Sequence, residues 1–333
     1  MTVESLAIGV ISFDRAALTR ACIESLDAHT TRPFHLVVAD NGSRELAAVR
    51  LLDDLAERSR TTVVRLGSNR GPSAGRNAIV ASLPPETDVL AFLDNDARAL
   101  PRWDDGIVEA LSAGFDIVQP KLLEPDSTTV QRGPTRSWSQ PFLVHPEYIG
   151  TGLDRSAPEV SQRVAVEHFG GTVAMRRRVL ASVGPYDERL WFGEDYDYAF
   201  RARSAGFRAC YEPSSELIHD HVFDPGYEAV RSNIDRELVA HIVLWEKHRR
   251  LMLGPDKLAM ICWLLEHDEP LFLERSWRPA SLFRRLRRRI VQKRIYSSLR
   301  SYWTTEEEGA TATADAARVR DSAGIGLKSE ISK

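Results

Sequence analysis

Apolar residues in the first 125 positions alternate between two patterns: short unbroken runs, and longer stretches in which they recur every three or four places. The runs LAIGVISF (6–13), FHLVVADN (34–41), TTVVRLGS (61–68) and VLAFL (89–93) predict strands. The stretches RAALTRACIESLDAH (15–29) and ELAAVRLLDDLAERS (45–59) predict helices, and a glycine-rich turn leads into a further short helix before VLAFL. Strand and helix in strict alternation predict a parallel sheet joined by crossover helices. Runs that are apolar at successive positions predict strands covered on both faces. A helix at WDDGIVEALSAG (103–114) and a strand at DIVQPKLL (116–123) continue the pattern.

From Glu124 to Val166 the pattern breaks, with five prolines spread among aromatic residues. A long irregular stretch inside a compact domain is more often functional than accidental. Regularity returns with FGGTVAMRRRVLASVG (169–184), a strand feeding a helix, then a helix over GEDYDYAFRARSAGF (193–207) and a short strand over ACYEP (209–213). The chain reads as helical from Asn233 to about Leu299, and the small, polar tail 304–333 reads as disordered.

The tips of the predicted strands carry the polar residues. Ser12 and Asp14 follow the first, Asp40 and Asn41 the second, Asn69 the third, Asp94 and Asp96 the fourth. Open α/β sheets bind ligands at the carboxyl ends of their strands, so these residues are expected on one edge. Asp94 and Asp96 offer two hard oxygen donors that suit Mg²⁺ or Mn²⁺ shared with the phosphates of a nucleotide; an Asp-rich turn explains the pair equally well. In GSNRGPSAGRNA (67–78), Gly71 and Gly75 allow close backbone approach, the following helix offers free N–H groups, and Arg76 could present a charged fork to a diphosphate. The stretch fits neither GxGxxG nor GxxxxGK[ST], which argues against a dehydrogenase and a P-loop enzyme. Glu194 and Asp195 open a helix, where acids are common for capping alone. Trp191, Phe192 and Gly193 just before them fit instead a sugar-binding lip beside a general base. In His219, Asp220 and His221, an imidazole could complete the coordination of a metal held by Asp96.

Composition narrows the class. With 333 residues, 43% hydrophobic and 27% charged, the chain can bury a full core. No apolar run approaches the ~20 residues that span a bilayer, and the start lacks a signal-peptide pattern, so a cytoplasmic location is expected. Cys22, Cys210 and Cys262 are isolated and odd in number, which reads as buried thiols in a reducing compartment. The net charge of −3 says nothing about partners.

Taken together, DNGS (40–43), NRGPSAGRN (69–77), LDNDA (93–97), GGTVAMRR (170–177), FGEDYDYAFRARSAGF (192–207) and a later histidine resemble, in their order, the family 2 glycosyltransferases of GT-A fold. The resemblance covers roughly residues 5–225. It implies an α/β fold of GT-A type, Rossmann-like with a mostly parallel central sheet, followed by a C-terminal helical extension. The implied organisation is a catalytic domain over 1–228, with a nucleotide-sugar half (1–123) and an acceptor half (124–228), then a helical extension over 229–303 and a tail over 304–333. The implied activity is metal-dependent transfer of a sugar, hexosyl or deoxyhexosyl, from a nucleotide diphosphate to an acceptor hydroxyl, with inversion by single displacement. The resemblance places Ser12, Asp40, Asn69, Gly71, Arg76, Asp94 and Asp96 on the donor, with Asp40 at the nucleotide base. It places Gly170, Gly171 and Trp191 on the acceptor, Asp96 and His219 on Mn²⁺ or Mg²⁺, Asp195 as the base and Glu194 as its support. His219 fits the metal position better than His221. Asn95 replaces a frequent central acid, and Arg44 and Glu45 stand where many members carry another acid, so a pyrimidine nucleotide is the preferred but weaker expectation.

Two other classes compete. A phosphotransferase or phosphatase would use Asp94 as a nucleophile, but its place after three βα units and the lack of a nearby Thr or Lys partner count against it. A non-catalytic nucleotide-sugar-binding or scaffold protein is disfavoured by the intact Asp94, Asp96 and Asp195. The acceptor is expected to be a glycan, a lipid-linked sugar or a small molecule, and nucleic acid is not expected. Segment 281–303 carries eight Lys and Arg residues and no acid, with Leu282, Phe283, Leu286 and Ile290 on one helical face. A peripheral contact with the inner face of an anionic membrane and simple packing on the catalytic domain explain it about equally.

Overall fold

The computed structural model describes residues 5–136, 147–220, 243–244 and 247–248. The chain divides into two units, Met1–Pro255 and Asp256–Lys333, and every described residue belongs to the first. The expected basic segment 281–303, the tail, His221 and Cys262 lie outside the described residues, as does the rest of the 229–303 extension apart from 243–244 and 247–248, which are helical.

The first half follows the expected alternation closely. In order it runs β1 (Leu6–Ser12), α1 (Ala16–His29), β2 (Phe34–Asp40), α2 (Leu46–Ala56), β3 (Thr61–Arg65), α3 (Gly71–Ala81), β4 (Val89–Asp94), β5 (Ala97–Ala99), α4 (Trp103–Ser112) and β6 (Ile117–Leu123). The irregular stretch contains short pieces, β7 (Val130–Arg132), β8 (Thr135–Arg136), β9 (Glu147–Tyr148), a 3₁₀ turn (Pro158–Val160) and β10 (Val164–Val166). Then come β11 (Val173–Arg176), α5 (Arg177–Val183), α6 (Glu194–Ser204) and β12 (Ala209–His219).

The main path of the sheet has the order β10-β12-β6-β11-β4-β1-β2-β3. β1 pairs in parallel with β2 and β4, and β2 with β3. β11 runs antiparallel to both β4 and β6, so β6 keeps the direction of β4, and β12 is parallel to β6. Six strands therefore share one direction and end on one edge, which makes the sheet mostly parallel, with β11 reversed at its centre and the short β5, β7 and β10 reversed at its margins. A reversed strand begins where its neighbours finish. The Gly170–Thr172 approach to β11 is thus delivered to the same edge as Asp94.

Side-chain alternation sorts the strands onto two cores. Leu6, Ile8 and Val10 of β1 join Val89, Ala91 and Leu93 of β4 on the face covered by α1, α2 and α4. Leu90 and Phe92 point the other way, into a cluster with Ile79, Tyr186 and Tyr198 under α3, α5 and α6. Burial on both faces is why these strands read as continuous apolar runs. Gly9 is required for close packing, because a Cβ there would lie 2.6 Å from the Ile79 side chain.

Two expectations need correction. β12 does not stop at Pro213; a register shift between Glu212 and Glu216 absorbs the proline and pairing with β6 resumes to Ile218. The bulge carries the strand to His219 and so to the site. The turn after Asp94 is also followed by an unforeseen strand, β5, which pairs antiparallel with β12 and sets His219 opposite Ala97.

Candidate active site

Four segments meet at the carboxyl edge of the sheet. β4 ends in Asp94, and the turn after it carries Asp96. The register of β5 on β12 brings His219 within 3.2 Å of Asp96, Nε2 to Oδ1. Asp94, Asp96 and His219 place one ligand atom each within 4.8 Å of one another. Two hard carboxylates and an imidazole fit a divalent cation. The Asp220 N–H donates to the Asp96 carbonyl at 2.7 Å, and Asp220 is held by Arg98, so this turn is pinned to the end of β12.

Arg15 adds a cation that the sequence pattern did not reveal. Its guanidinium lies 3.7 Å from Asp96 Oδ2. Asp14 and Arg15 both take left-handed backbone conformations, φ 49° and 54°, an uncommon arrangement for two successive non-glycine residues. Burial would raise the Asp96 carboxyl, but the His219 hydrogen bond and charge, with Arg15, outweigh it and hold the group below the usual carboxylate range.

Asn95 stays out of the centre. Its amide donates to Thr19 Oγ1 at 2.9 Å, and Thr19 lies 3.2 Å from the Ser12 hydroxyl. Ser12 is buried within this chain of side chains beneath the turn rather than at the ligand face.

Around Asp40 the side chains build a frame. Asp40 is buried at the end of β2, where its carboxylate accepts the Ser43 N–H at 2.8 Å and lies 3.6 Å from Arg65. Asn41, expected at this edge but given no role there, donates to Asn69 Oδ1 and to the Gly71 carbonyl and accepts the Arg70 N–H. Asn69 accepts the Gly71 N–H at 3.0 Å, so its side chain shapes the turn into α3. Gly71 has φ +84°, and a Cβ there would lie 3.0 Å from the Trp191 ring. The indole thus rests against the start of α3.

Arg76 does not present its fork to the edge, as the sequence suggested. It is buried, its Nη1 donates to the Gly171 carbonyl at 2.8 Å, and its Nη2 lies 3.5 Å from Glu194. Phe92 and Tyr186 flank it, with ring centroids 5.2 and 5.5 Å from Cζ. A residue on the buried face of α3 points under the site rather than into it. Gly171 is needed here, since a Cβ would fall 2.4 Å from Arg76 Nη2 and 3.9 Å from Asp94 Oδ1. Its backbone therefore sits between Asp94 and Arg76, and Arg76 in turn lies against Glu194.

Glu194 and Asp195 open α6 behind Gly193, which caps the helix in a left-handed conformation with no side-chain cap bond. Burial, with the Asp195 charge beside it, pushes Glu194 up to about 8 against the pull of Arg76. Asp195 is half-buried and is raised too, by desolvation, but Arg76 and Arg132 both oppose the rise. Both carboxyls are thus raised, and Asp195 keeps two cationic neighbours, Arg76 and Arg132, that favour its charged form. Arg132 and Tyr148, also unforeseen, stand near Asp195, with the Arg132 Cζ 5.4 Å from the Tyr148 ring centroid. A Cβ on Gly170 would lie 3.3 Å from the Tyr148 hydroxyl and 3.5 Å from Arg132 Nη1.

One turn further on, the fully buried Asp197 binds Arg201 at 2.9 Å, Lys247 at 2.7 Å and His248 at 2.7 Å. Val243 and Leu244 pack on Leu190 beside Phe192 and Tyr196. Residues 243–244 thus buttress the lip, and 247–248 buttress α6.

A stability test isolates Glu194. A carboxyl whose folded value is raised costs stability as pH climbs, nothing below about 4.5 and most above about 8. Glu194→Gln should raise the melting temperature by a few degrees at alkaline pH and leave it unchanged near the lower bound. Equal effects at both ends would show that the side chain is not held protonated by the fold.

An open, mostly parallel α/β sheet with an acidic, cation-competent centre at its carboxyl edge and a second acid pair facing it defines a GT-A type glycosyltransferase. The profile for "Glycosyl transferase family 2" matches residues 7–183, more than half of the chain, and the chain belongs to that family. It is 28% identical over 193 residues to the pre-mycofactocin glycosyltransferase of Mycobacterium tuberculosis, covering 57% of this chain and 38% of that protein. It is 25% identical over 252 residues to the N-acetylglucosaminyl-diphospho-decaprenol L-rhamnosyltransferase of the same species, covering 68% of this chain and 79% of the relative. The crystal structure of GalNAc-T7 with UDP, GalNAc and Mn²⁺ shares the fold, with a TM-score of 0.54 and 17% identity, over 66% of this chain and 44% of the other. Among the described residues, no helix is long and apolar enough to cross a membrane.

Proposed function

We propose that this glycosyltransferase takes a hexosyl or deoxyhexosyl unit from a nucleoside diphosphate sugar, with a pyrimidine base, and passes it to an acceptor hydroxyl in one displacement that inverts the anomeric carbon. The observation that carries the reading is the pairing of two unlike acid centres across Gly171: Asp94, Asp96 and His219 on one side, Glu194 and Asp195 on the other.

Asp94, Asp96 and His219 would hold Mn²⁺ or Mg²⁺, which supplies positive charge to a diphosphate leaving group. Arg15, beside Asp96, adds a fixed cation of the same sense. Asp195 takes the proton of the acceptor hydroxyl as that oxygen attacks, and the bond to the diphosphate oxygen breaks on the opposite face of the sugar. Glu194 and Arg76 hold Asp195 in place from beneath. Asp40, with the Asn41–Asn69 frame, borders the place of the nucleotide base. Trp191, Gly170 and Gly171 border the acceptor, and Arg132 and Tyr148 join them there. A lipid-linked acceptor is favoured by the relative with the larger shared length, an N-acetylglucosaminyl-diphospho-decaprenol L-rhamnosyltransferase. That reading brings a peripheral membrane contact with it, on the cytoplasmic side.

A panel of nucleotide sugars with Mn²⁺ and a polyprenyl-diphosphate sugar tests this. Release of nucleoside diphosphate matched by glycosylated acceptor is the expected result. Inorganic phosphate as the product would point to a phosphatase, and binding without turnover to a non-catalytic relative.

A further inference from the structure

Three side chains in a row end at the centre where the cation is proposed to bind, and the first two have no role in the reading above. Glu124 and Gln131 face each other across the β6–β7 hairpin, whose backbone is closed by the Glu124 N–H to the Thr129 carbonyl at 2.8 Å. The Gln131 amide nitrogen donates to Glu124 Oε2 at 3.1 Å. The His219 Nδ1 lies 2.6 Å from Gln131 Oε1. The His219 Nε2 lies 3.2 Å from Asp96 Oδ1, on the side where Asp94 converges.

Donor and acceptor chemistry fixes the direction of this chain. A carboxylate can only accept, so the amide nitrogen of Gln131 must face Glu124. The second N–H of that amide points towards the His219 carbonyl at 3.5 Å, again an acceptor. The amide oxygen is then left for the ring, and an oxygen can only accept, so His219 Nδ1 carries the hydrogen. Asp96 Oδ1 can likewise only accept, so without a cation Nε2 carries a hydrogen to it; a cation bound between the two takes that hydrogen's place, and with the N–H of a neutral imidazole fixed on Nδ1 it meets the Nε2 lone pair.

We infer that Gln131, oriented by Glu124, is a positioning residue that selects the Nδ1–H form of His219 and aims its Nε2 lone pair at a divalent cation shared with Asp94 and Asp96. The inference rests on the metal reading proposed above and deepens it. Partners that fix the tautomer and ring orientation of a metal-binding histidine typically change metal affinity 10–100-fold when removed. Neither residue stands out in the sequence: both lie within or beside the irregular stretch, eighty-eight positions in the case of Gln131 from the histidine it serves.

The test compares three proteins by calorimetry with Mn²⁺ in the presence of UDP. Gln131→Leu keeps the bulk of a half-buried side chain and removes the acceptor, and Mn²⁺ affinity should fall by about tenfold or more. Glu124→Gln/Gln131→Glu exchanges amide and carboxylate, so that the carboxylate now at 131 accepts from the ring and the amide at 124 donates to it. This double variant should recover most of the affinity, which a loss caused by general disruption would not do. A second readout is the proton spectrum of the Co²⁺- and UDP-loaded protein. Wild type should show a paramagnetically shifted, slowly exchanging imidazole N–H, lost in Gln131→Leu and restored in the exchange variant. Wild-type Mn²⁺ binding with Gln131→Leu within about twofold of it, or an exchange variant that recovers nothing, would overturn the inference alone. Failure of wild type to bind Mn²⁺ would overturn the metal centre and this inference with it.

Discussion

Asp195→Asn should abolish glycosyl transfer while leaving donor affinity close to that of the wild type. The substitution keeps the size of the side chain and its bond from the Tyr196 N–H, which Asp195 Oδ1 accepts at 2.9 Å, but removes the basic oxygen. A positioned general base contributes about 10²–10⁴-fold to a rate, so the loss should fall on kcat rather than on ground-state binding. Steady-state kinetics alongside calorimetry with the nucleoside diphosphate separate the two. Wild-type turnover in this variant would return Asp195 to the helix terminus it occupies and make Glu194 the next candidate. The environment argues against that exchange of roles, because Glu194 is buried and lies against Arg76 beneath the site.

Asp96→Ala should remove divalent-dependent donor binding altogether. Asp96 is the member of the centre that touches both His219 and Arg15, so its loss leaves an imidazole and a guanidinium facing each other where a cation should sit. The lost carboxylate has no substitute donor nearby in sequence, and a cation of this class needs several oxygen ligands. Calorimetry of the wild type with a nucleoside diphosphate should show binding that collapses in excess chelator, and the variant should match the chelated wild type. Undiminished wild-type affinity in chelator would mean that the diphosphate is held by the protein's own cations, with Arg15 the first to consider.

The parallel half of the fold was legible because its strands are buried twice over. Val89–Leu93 can be read as a strand from five letters, since no position faces water, and the polar residue that ends it must lie at an edge. The acids at Asp94, Asp96, Glu194 and Asp195 were legible for the same reason: they interrupt or terminate regular patterns. What could not be read was direction and depth. β11 looks like any short apolar strand, and nothing in VAMR says that it enters between β4 and β6 upside down. Arg76 has the chemistry of a diphosphate ligand, but its place on α3 turns it towards Phe92 and Tyr186, a matter of helix phase that a glycine-rich turn leaves open. Arg15, Gln131, Arg132 and Tyr148 reach the site through a left-handed turn and through the irregular stretch, where no periodicity marks a side chain's direction. His219 was identified by resemblance; the physical reason it arrives is the bulge that carries β12 past Pro213.

The reversed strand also settles how this enzyme class can change its customers. Chain leaving β6 at Leu123 comes back into the sheet at Val173, on the strand next door, so about fifty residues depart and return through adjacent doors. Closing a longer loop between fixed neighbours costs only ~0.6 kcal/mol per doubling of its length. The intervening stretch, part of which the proposed function puts beside the acceptor, can therefore be lengthened, shortened or replaced while β11 stays in register with β4 and β6 stays paired with β11. Under the proposed acceptor role, selection for a new acceptor acts on a cassette, and the price of experiment is confined to the residues that line it.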